Sequence, residues 1–191
     1  GVACYDCESM ELTAILAQEL SLPYPSLQAV RNCRDKYLTK TLWARGNLLT
    51  PRVRQIRSAA DAVHFFQEMD GPCVLKPSGG SGSELIFRCD SERDCRHNYA
   101  KIIDGLWQRR HNRLYRLFST ADPMILAEKF ITGKEYSCDF VVENGQVDVI
   151  RLTRKILSPR GPFGTALGYL LPGHLPKEIN EFDFKQTLYQ S

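Results

Sequence analysis

Met10, Leu12, Leu16 and Leu20 recur at helical spacing across residues 8–20, and the pattern breaks at Leu22-Pro-Tyr-Pro25. A recurrence near 3.6 residues argues an amphipathic helix. Residues 27–46 read as a second helix ended by Gly46, with Leu38 and Leu42 four apart on its buried stripe. Lys36 and Lys40 are also four apart, so they share one face. Thr50-Pro51 opens an extended segment, Val53 to Ile56. Ser58-Ala-Ala-Asp61 has the composition of a helix N-cap and predicts a helix through Met69, closed by Asp70-Gly71-Pro72.

The period then shortens. Strands are predicted over 73–77 and 84–89, with a glycine- and serine-rich loop between them. Asp90 or Ser91 caps a helix reaching about residue 107, and the polar, basic stretch 108–122 reads as a loop or exposed extension. Strand 124–130 turns at Thr132-Gly-Lys134. Strands 135–143 and 147–156 are joined by Glu143-Asn-Gly-Gln146, and Asn-Gly between alternating segments is a strong hairpin signal. Residues 158–164 read as a loop, and Pro176 opens a last amphipathic helix. The class is α+β, with antiparallel pairing between residues 72 and 156.

Composition narrows the functions. With 191 residues, 43% hydrophobic and 25% charged, the chain is an ordinary globular sequence of one or two domains. No window approaches 18 uninterrupted apolar residues, so no membrane partner is expected. The N-terminus has neither a basic n-region nor an apolar h-region, and a cytoplasmic location is expected. Seven cysteines, an odd number irregularly spread, read as free thiols in a reducing compartment. Cys4-Tyr-Asp-Cys7 lacks the second pair that a zinc knuckle needs, and Cys89, Cys95 and His97 make only a partial set.

Net charge is +3, but residues 31–57 carry eight basic side chains against Asp35 alone. Arg109, Arg110, His111, Arg113 and Arg116 form a second cluster, which reads first as a solvated helix face. Such clusters suit a polyanion, either a nucleoside triphosphate or a nucleic acid. A nucleic-acid binder interleaves aromatic rings with its basic residues. Tyr37 and Trp43 instead serve the apolar face of their helix, and only Tyr115 and Phe118 lie near the second cluster. Nucleic acid is therefore the weaker reading. Neither Gly-x-Ser-x-Gly nor His-Glu-x-x-His occurs, so hydrolase chemistry gains no support.

The densest chemical signal is Cys73-Val-Leu-Lys-Pro-Ser-Gly-Gly-Ser-Gly-Ser83. An apolar strand delivers Lys76 and runs into three glycines and three serines in six residues. Successive backbone N–H groups in such a loop make an anion-binding concavity, and the lysine supplies a point charge for phosphate. Its companions lie in order along the chain. Asp35-Lys36 precedes it on a helix. About 45 residues after it, Ile125-Leu-Ala-Glu-Lys-Phe-Ile131 forms a strand, and Glu135 opens the next one, seven residues after Glu128.

This order and spacing resembles the ATP-grasp superfamily over roughly residues 25–176, in particular the carboxylate–amine and carboxylate–thiol ligases near biotin carboxylase, carbamoyl-phosphate synthase and the L-amino-acid ligases. The resemblance implies antiparallel sheets packed with helices and a nucleotide cleft between two lobes. It implies ATP and Mg²⁺ as cofactors and a small-molecule carboxylate as substrate, and it leaves a homodimer open. Lys36 and Lys76 would neutralise the α- and β-phosphates. Backbone N–H groups of Ser78, Gly79, Gly80, Ser81, Gly82 and Ser83 would lie over the β- and γ-phosphates as a mobile flap. Glu128 would accept from the adenine amino group, the backbone of Lys129, Phe130 and Ile131 would pair with the ring edge, and Glu135 would bond the ribose hydroxyls. Arg151, Arg154 and Lys155 offer only a weak candidate for a further phosphate contact, and His174 reads as structural.

The chain also departs from the family. Ser83-Glu-Leu-Ile86 lacks the flap's usual later glycine. Glu178-Ile-Asn180 imitates the family's metal-binding Glu-x-Asn, but it follows Pro176 directly and reads as a helix start. On this basis residues 1–24 are expected to end a preceding Rossmann-like domain and 25–71 to supply linker helices. Residues 72–156 would form a small antiparallel subdomain, and 157–191 would begin a truncated C-terminal lobe. Such a fragment is expected to bind ATP weakly and not to turn over alone. The implied reaction activates a carboxylate as an acyl phosphate for attack by an amine or similar nucleophile. The alternatives are a degenerate ATP-grasp regulatory module and a basic nucleic-acid-binding domain without catalysis.

Overall fold

Strand residues around 73–77 and 125–129 alternate between an apolar core and a face that carries Lys76 and Glu128. The computed structural model describes residues 1–112, 115, 124–160, 162–177 and 179–191. These divide into two units: residues 1–42 with 51–130, and residues 43–50 with 131–191.

The first unit opens with α1 (Met10–Glu19), α2 (Leu27–Arg34) and α3 (Lys36–Arg45, its last residues counted with the second unit). It continues with β1 (Val53–Ile56), α4 (Ala59–Met69), β2 (Cys73–Pro77), β3 (Phe87–Cys89), α5 (Glu92–Gln108) and β4 (Ile125–Lys129). The four strands form an antiparallel sheet in the order β1-β4-β2-β3. Ser58 and Ser91 cap α4 and α5, each accepting from the backbone N–H three residues on, at 3.0 and 3.1 Å.

Register explains the two faces. Lys76 lies opposite Leu126 and Val74 opposite Glu128, so all four share one face of the sheet. Cys73, Leu75, Ile125 and Ala127 take the other face and join Ile56, Phe65, Ile102 and Leu106 in the core beneath α4 and α5. Burying each large apolar side chain there contributes roughly 1.5–3 kcal/mol.

Two elements differ from the sequence expectation. The helix over 27–46 is two helices, because Asp35 is extended (φ −97°, ψ 109°) and its Oδ1 accepts from the N–H groups of Tyr37 and Leu38 at 2.8 and 3.3 Å. A short carboxylate side chain offers the backbone an alternative to the continuing helix and starts a new one. Leu38 and Leu42, expected on the buried stripe, are 39% and 43% exposed; Lys36 and Lys40 occupy the inward side instead. Strand 84–89 contracts to β3, since Ser83 and Leu85 take left-handed φ values of 58° and 56°.

The second unit holds β5 (Tyr136–Glu143), β6 (Gln146–Leu157), β7 (Ala166–Leu170) and α6 (Glu181–Gln190), with an antiparallel sheet ordered β5-β6-β7. Asn144 and Gly145 turn the β5–β6 hairpin with φ of 49° and 76°, as the Asn-Gly pair predicts. Two features there also depart from expectation. Ala166–Leu170 is a strand with no forecast, and the last helix starts at Glu181, where Asn180 accepts from the Phe182 N–H at 2.8 Å, rather than at Pro176. Among the described residues no helix is long and apolar enough to cross a membrane. Arg113, Arg116, Phe118 and Glu178 lie outside the described residues.

Candidate functional site

Asp35 is the pivot of the site in the first unit. Its Oδ1 caps α3 and also accepts from the Ser78 hydroxyl, which is fully buried. The Ser78 backbone is held at both ends: its N–H donates to Met124 O at 2.9 Å, and its carbonyl accepts from the Lys36 N–H at 3.0 Å. One carboxylate therefore fixes the start of a helix and the start of the glycine loop together.

Lys36 Nζ reaches from that helix start into the loop. It donates to the carbonyls of Gly79 and Gly80 at 3.1 and 3.0 Å and lies 3.5 Å from that of Ser78. Burial lowers its pKa to about 8, helped by the positive charges of Lys76 and Arg34 and opposed by Glu128 and Asp35. The three carbonyls favour its charged form, because each accepts from an ammonium more strongly than from an amine.

Lys76, Lys40 and Glu128 form the second cluster. Lys76 Nζ sits 2.8 Å from Glu128 Oε2, the diagonal pair that the β2–β4 register creates. Lys40 Nζ stands 3.6 Å from Oε1, an ion-pair separation longer than a hydrogen bond. Burial lowers the Lys40 pKa, and Glu128 acts against that shift. These side chains are only 15%, 13% and 8% exposed, yet Oε1 has no hydrogen-bond donor among the described residues. A buried carboxylate oxygen in that state is an open acceptor. Counting Lys36, three ammonium groups stand against the two carboxylates Glu128 and Asp35, which leaves an excess of positive charge here.

The glycine loop closes against Tyr115. At Gly80 φ is 92°, and a Cβ there would lie 2.7 Å from the Tyr115 ring, so only glycine fits. The Tyr115 hydroxyl donates to Glu84 Oε2 at 3.1 Å, and Arg109 Nε donates to the same oxygen at 2.9 Å. Burial and the Glu84 bond push the Tyr115 pKa up to about 12. A hollow lined by Lys36, Pro77, Gly79, Gly80, Ser81 and Ser83 lies between lysine and loop.

Of the residues singled out in the sequence, Lys36, Lys76, residues 78–83 and Glu128 come together here. Lys129 and Phe130 follow on the same strand, with N–H groups donating to Arg52 O and Pro72 O at 2.9 and 3.0 Å. The Phe130 ring stacks under the Arg88 guanidinium, 4.3 Å from its centroid. Ile131 and Glu135 belong to the second unit, where Glu135 Oε1 pairs with Lys155 Nζ at 2.5 Å and Arg151 pairs with Asp139. His174 is exposed.

Sequence reasoning gave no role to Asp35, Lys40, Glu84 or Tyr115. The four-residue spacing of Lys36 and Lys40 was the available signal for Lys40. Nothing local marks Glu84 or Tyr115, which meet across 31 residues.

A family model described as an ATP-grasp domain matches residues 69–190. This chain belongs to the ATP-grasp family. Its relatives include a D-alanine–D-alanine ligase from Acidovorax ebreus, 27% identical over 181 residues, which are 90% of this chain and 49% of that protein. Human carnosine synthase 1 is 26% identical over 170 residues, covering 85% of this chain and 20% of its own length. Among solved structures, an L-amino acid ligase from Bacillus licheniformis superposes with a TM-score of 0.75 at 24% identity, over 100% of this chain and 40% of that one. A biotin carboxylase–β,γ-ATP complex from Campylobacter jejuni gives 0.73 at 17% identity, over 97% and 40%. These superpositions establish the ATP-grasp fold. The chain spans about half the length or less of the curated relatives it matches.

Proposed function

We propose that this chain is the ATP-binding part of an ATP-dependent ligase that activates a carboxylate for attack by an amine or similar nucleophile. The observation that carries the reading is the convergence of Lys36, Lys40, Lys76 and the glycine loop around Glu128 in an ATP-grasp chain. A triphosphate brings about four negative charges, and a half-buried cluster of ammonium groups is what offsets them.

In this reading Lys36 and Lys76 hold the α- and β-phosphates, and N–H groups from Gly79 to Ser83 face the β- and γ-phosphates. Ser78 keeps its own N–H for Met124. Glu128 Oε1 accepts from the exocyclic amino group of adenine, which supplies the donor it lacks. Sheet pairing already occupies the Lys129 and Phe130 N–H groups, so the Lys129 carbonyl is the ring-edge contact left to the first unit, and the Ile131 role rests on the sequence resemblance. The ribose role of Glu135 rests on the sequence resemblance.

The γ-phosphoryl group passes from ATP to a carboxylate oxygen, forming one P–O bond as the bond to ADP breaks. The nucleophile then attacks the acyl carbon and releases phosphate. The protein's part is positioning and charge neutralisation. Relatives named for joining amino acids support an amino acid as the carboxylate. Mg²⁺ belongs to the proposal through the family alone. It needs several oxygen ligands, and among the described residues the only convergent group of metal-ligating side chains is a trio of cysteines. Seven free cysteines support a reducing, cytoplasmic setting.

Calorimetric titration with ATP and GTP tests the reading. ATP should bind saturably and in preference to GTP, Lys76→Ala should weaken it at least tenfold, and Glu128→Gln should erase the purine preference. Equal heats in wild type and both variants would overturn the assignment.

A further inference from the structure

Three thiols converge in the core of the first unit, on the side of the sheet away from the lysines. Cys73 on β2 lies directly opposite Cys89 on β3, and Cys95 comes from the first turns of α5. All three are fully buried, and their sulfurs lie within 4.8 Å of one another, with 3.9 Å between Cys73 and Cys95. No histidine or carboxylate joins the group among the described residues. Asn98, one turn along α5 and itself buried, directs its Nδ2 at Cys89 Sγ from 3.5 Å.

We propose that Cys73, Cys89 and Cys95 bind one thiophilic d¹⁰ metal ion, with monovalent copper the ion the site fits. Soft thiolate donors select Cu(I), zinc and iron–sulfur clusters. Zinc in structural sites takes four ligands, and the common iron–sulfur clusters take four cysteines. Three-coordinate Cu(I) is satisfied by three sulfurs. With metal–sulfur bonds of roughly 2.3 Å, a trigonal plane places the sulfurs about 4 Å apart, close to the observed separations. Loading needs small side-chain rotations and no movement of β2 against β3. Three S–H bonds break, three sulfur–copper bonds form, and three protons leave to solvent with no electron transferred. The resulting anionic complex gains from the Asn98 amide, an outer-shell donor of the kind that orients metal ligands, and from the positive end of α5. A lone buried thiol is readily explained as a small hydrophobe. Three sulfurs brought together from three elements, with an amide aimed at one of them, form a donor set.

The test is an anaerobic titration of the reduced chain with Cu(I) buffered by bicinchoninate, followed by X-ray absorption on the loaded wild-type protein. The expected result is one copper per chain in a three-sulfur environment, with a raised melting temperature. The double variant Cys4→Ser/Cys7→Ser, which removes the CxxC pair, should bind equally well. Cys95→Ala should lose the ion, and because the absorption measurement needs no variant, misfolding of that one would not blur the answer. Absence of binding, a two-sulfur environment, binding lost with Cys4 and Cys7, or preference for Zn(II) over Cu(I) would each overturn the assignment.

Discussion

Lys36 and Lys76 look alike in the sequence, but they are held differently. Lys76 is paired directly with a buried carboxylate, whereas Lys36 is solvated by loop carbonyls and has its pKa depressed by burial. Removing Lys76 leaves Glu128 with the more distant Lys40, so Lys76→Ala should cost about 3 kcal/mol of stability in urea denaturation, the low end for breaking a buried pair. The Lys36 titration has a clear sign. The ammonium form binds phosphate and dominates below pH about 8, so nucleotide affinity should fall as pH rises through about 8. Lys36→Arg should flatten that profile, because a guanidinium stays charged. Stability runs the other way: the burial cost is fully present below about pH 8 and is relieved as pH rises towards the ordinary value of 10.5. Both lysines were legible as single letters beside a glycine loop and a helix. What Lys36 does without a ligand was not, because main-chain carbonyl directions leave no trace in residue types.

Strand alternation made much of the sheet readable. Once 73–77 and 124–130 are strands, period two places Lys76 and Glu128 off the apolar face, and antiparallel register brings them diagonal to each other. The helix break at Asp35 was hidden, since an aspartate in mid-helix and one at a cap differ only in what lies nearby, here Ser78, 43 residues away. Because the Asp35 carboxylate joins α3 to the loop, Asp35→Ala should cost about 2 kcal/mol, the upper range for a lost cap. A double-mutant cycle with Ser78→Ala should show strong coupling, whereas independent additive losses would mean that cap and loop anchor are separate. The loop has its own weak point. Both Gly80 and Gly82 have positive φ, but only at Gly80 would a Cβ also meet the Tyr115 ring, so Gly80→Ala should weaken ATP binding more than Gly82→Ala.

At the scale of the molecule the core is unevenly distributed. The buried apolar side chains of the described residues lie in the first unit, and among the described residues of the second only Thr153 is buried. Amide exchange should follow: β2, β4 and the middle of α5 slowest, β5 to β7 markedly faster, because burial rather than hydrogen bonding alone sets opening free energies. Equal protection in the two sheets would contradict this. The sequence separated helix from strand nearly throughout, yet β7 escaped it, with a glycine in mid-strand and three exposed residues of five. Sheet order escaped it as well, and it carries a consequence for synthesis. Within the four-stranded sheet the strand made last, β4, is an inner strand and the sole partner of β1. During translation β1 leaves the ribosome at Ile56 and stays an unpaired edge until Ile125 emerges, while the β2–β3 pair can already close. The sheet is therefore completed out of order, by an insertion. Glu128, the carboxylate that pairs with both Lys40 and Lys76, therefore arrives with the strand that completes the sheet.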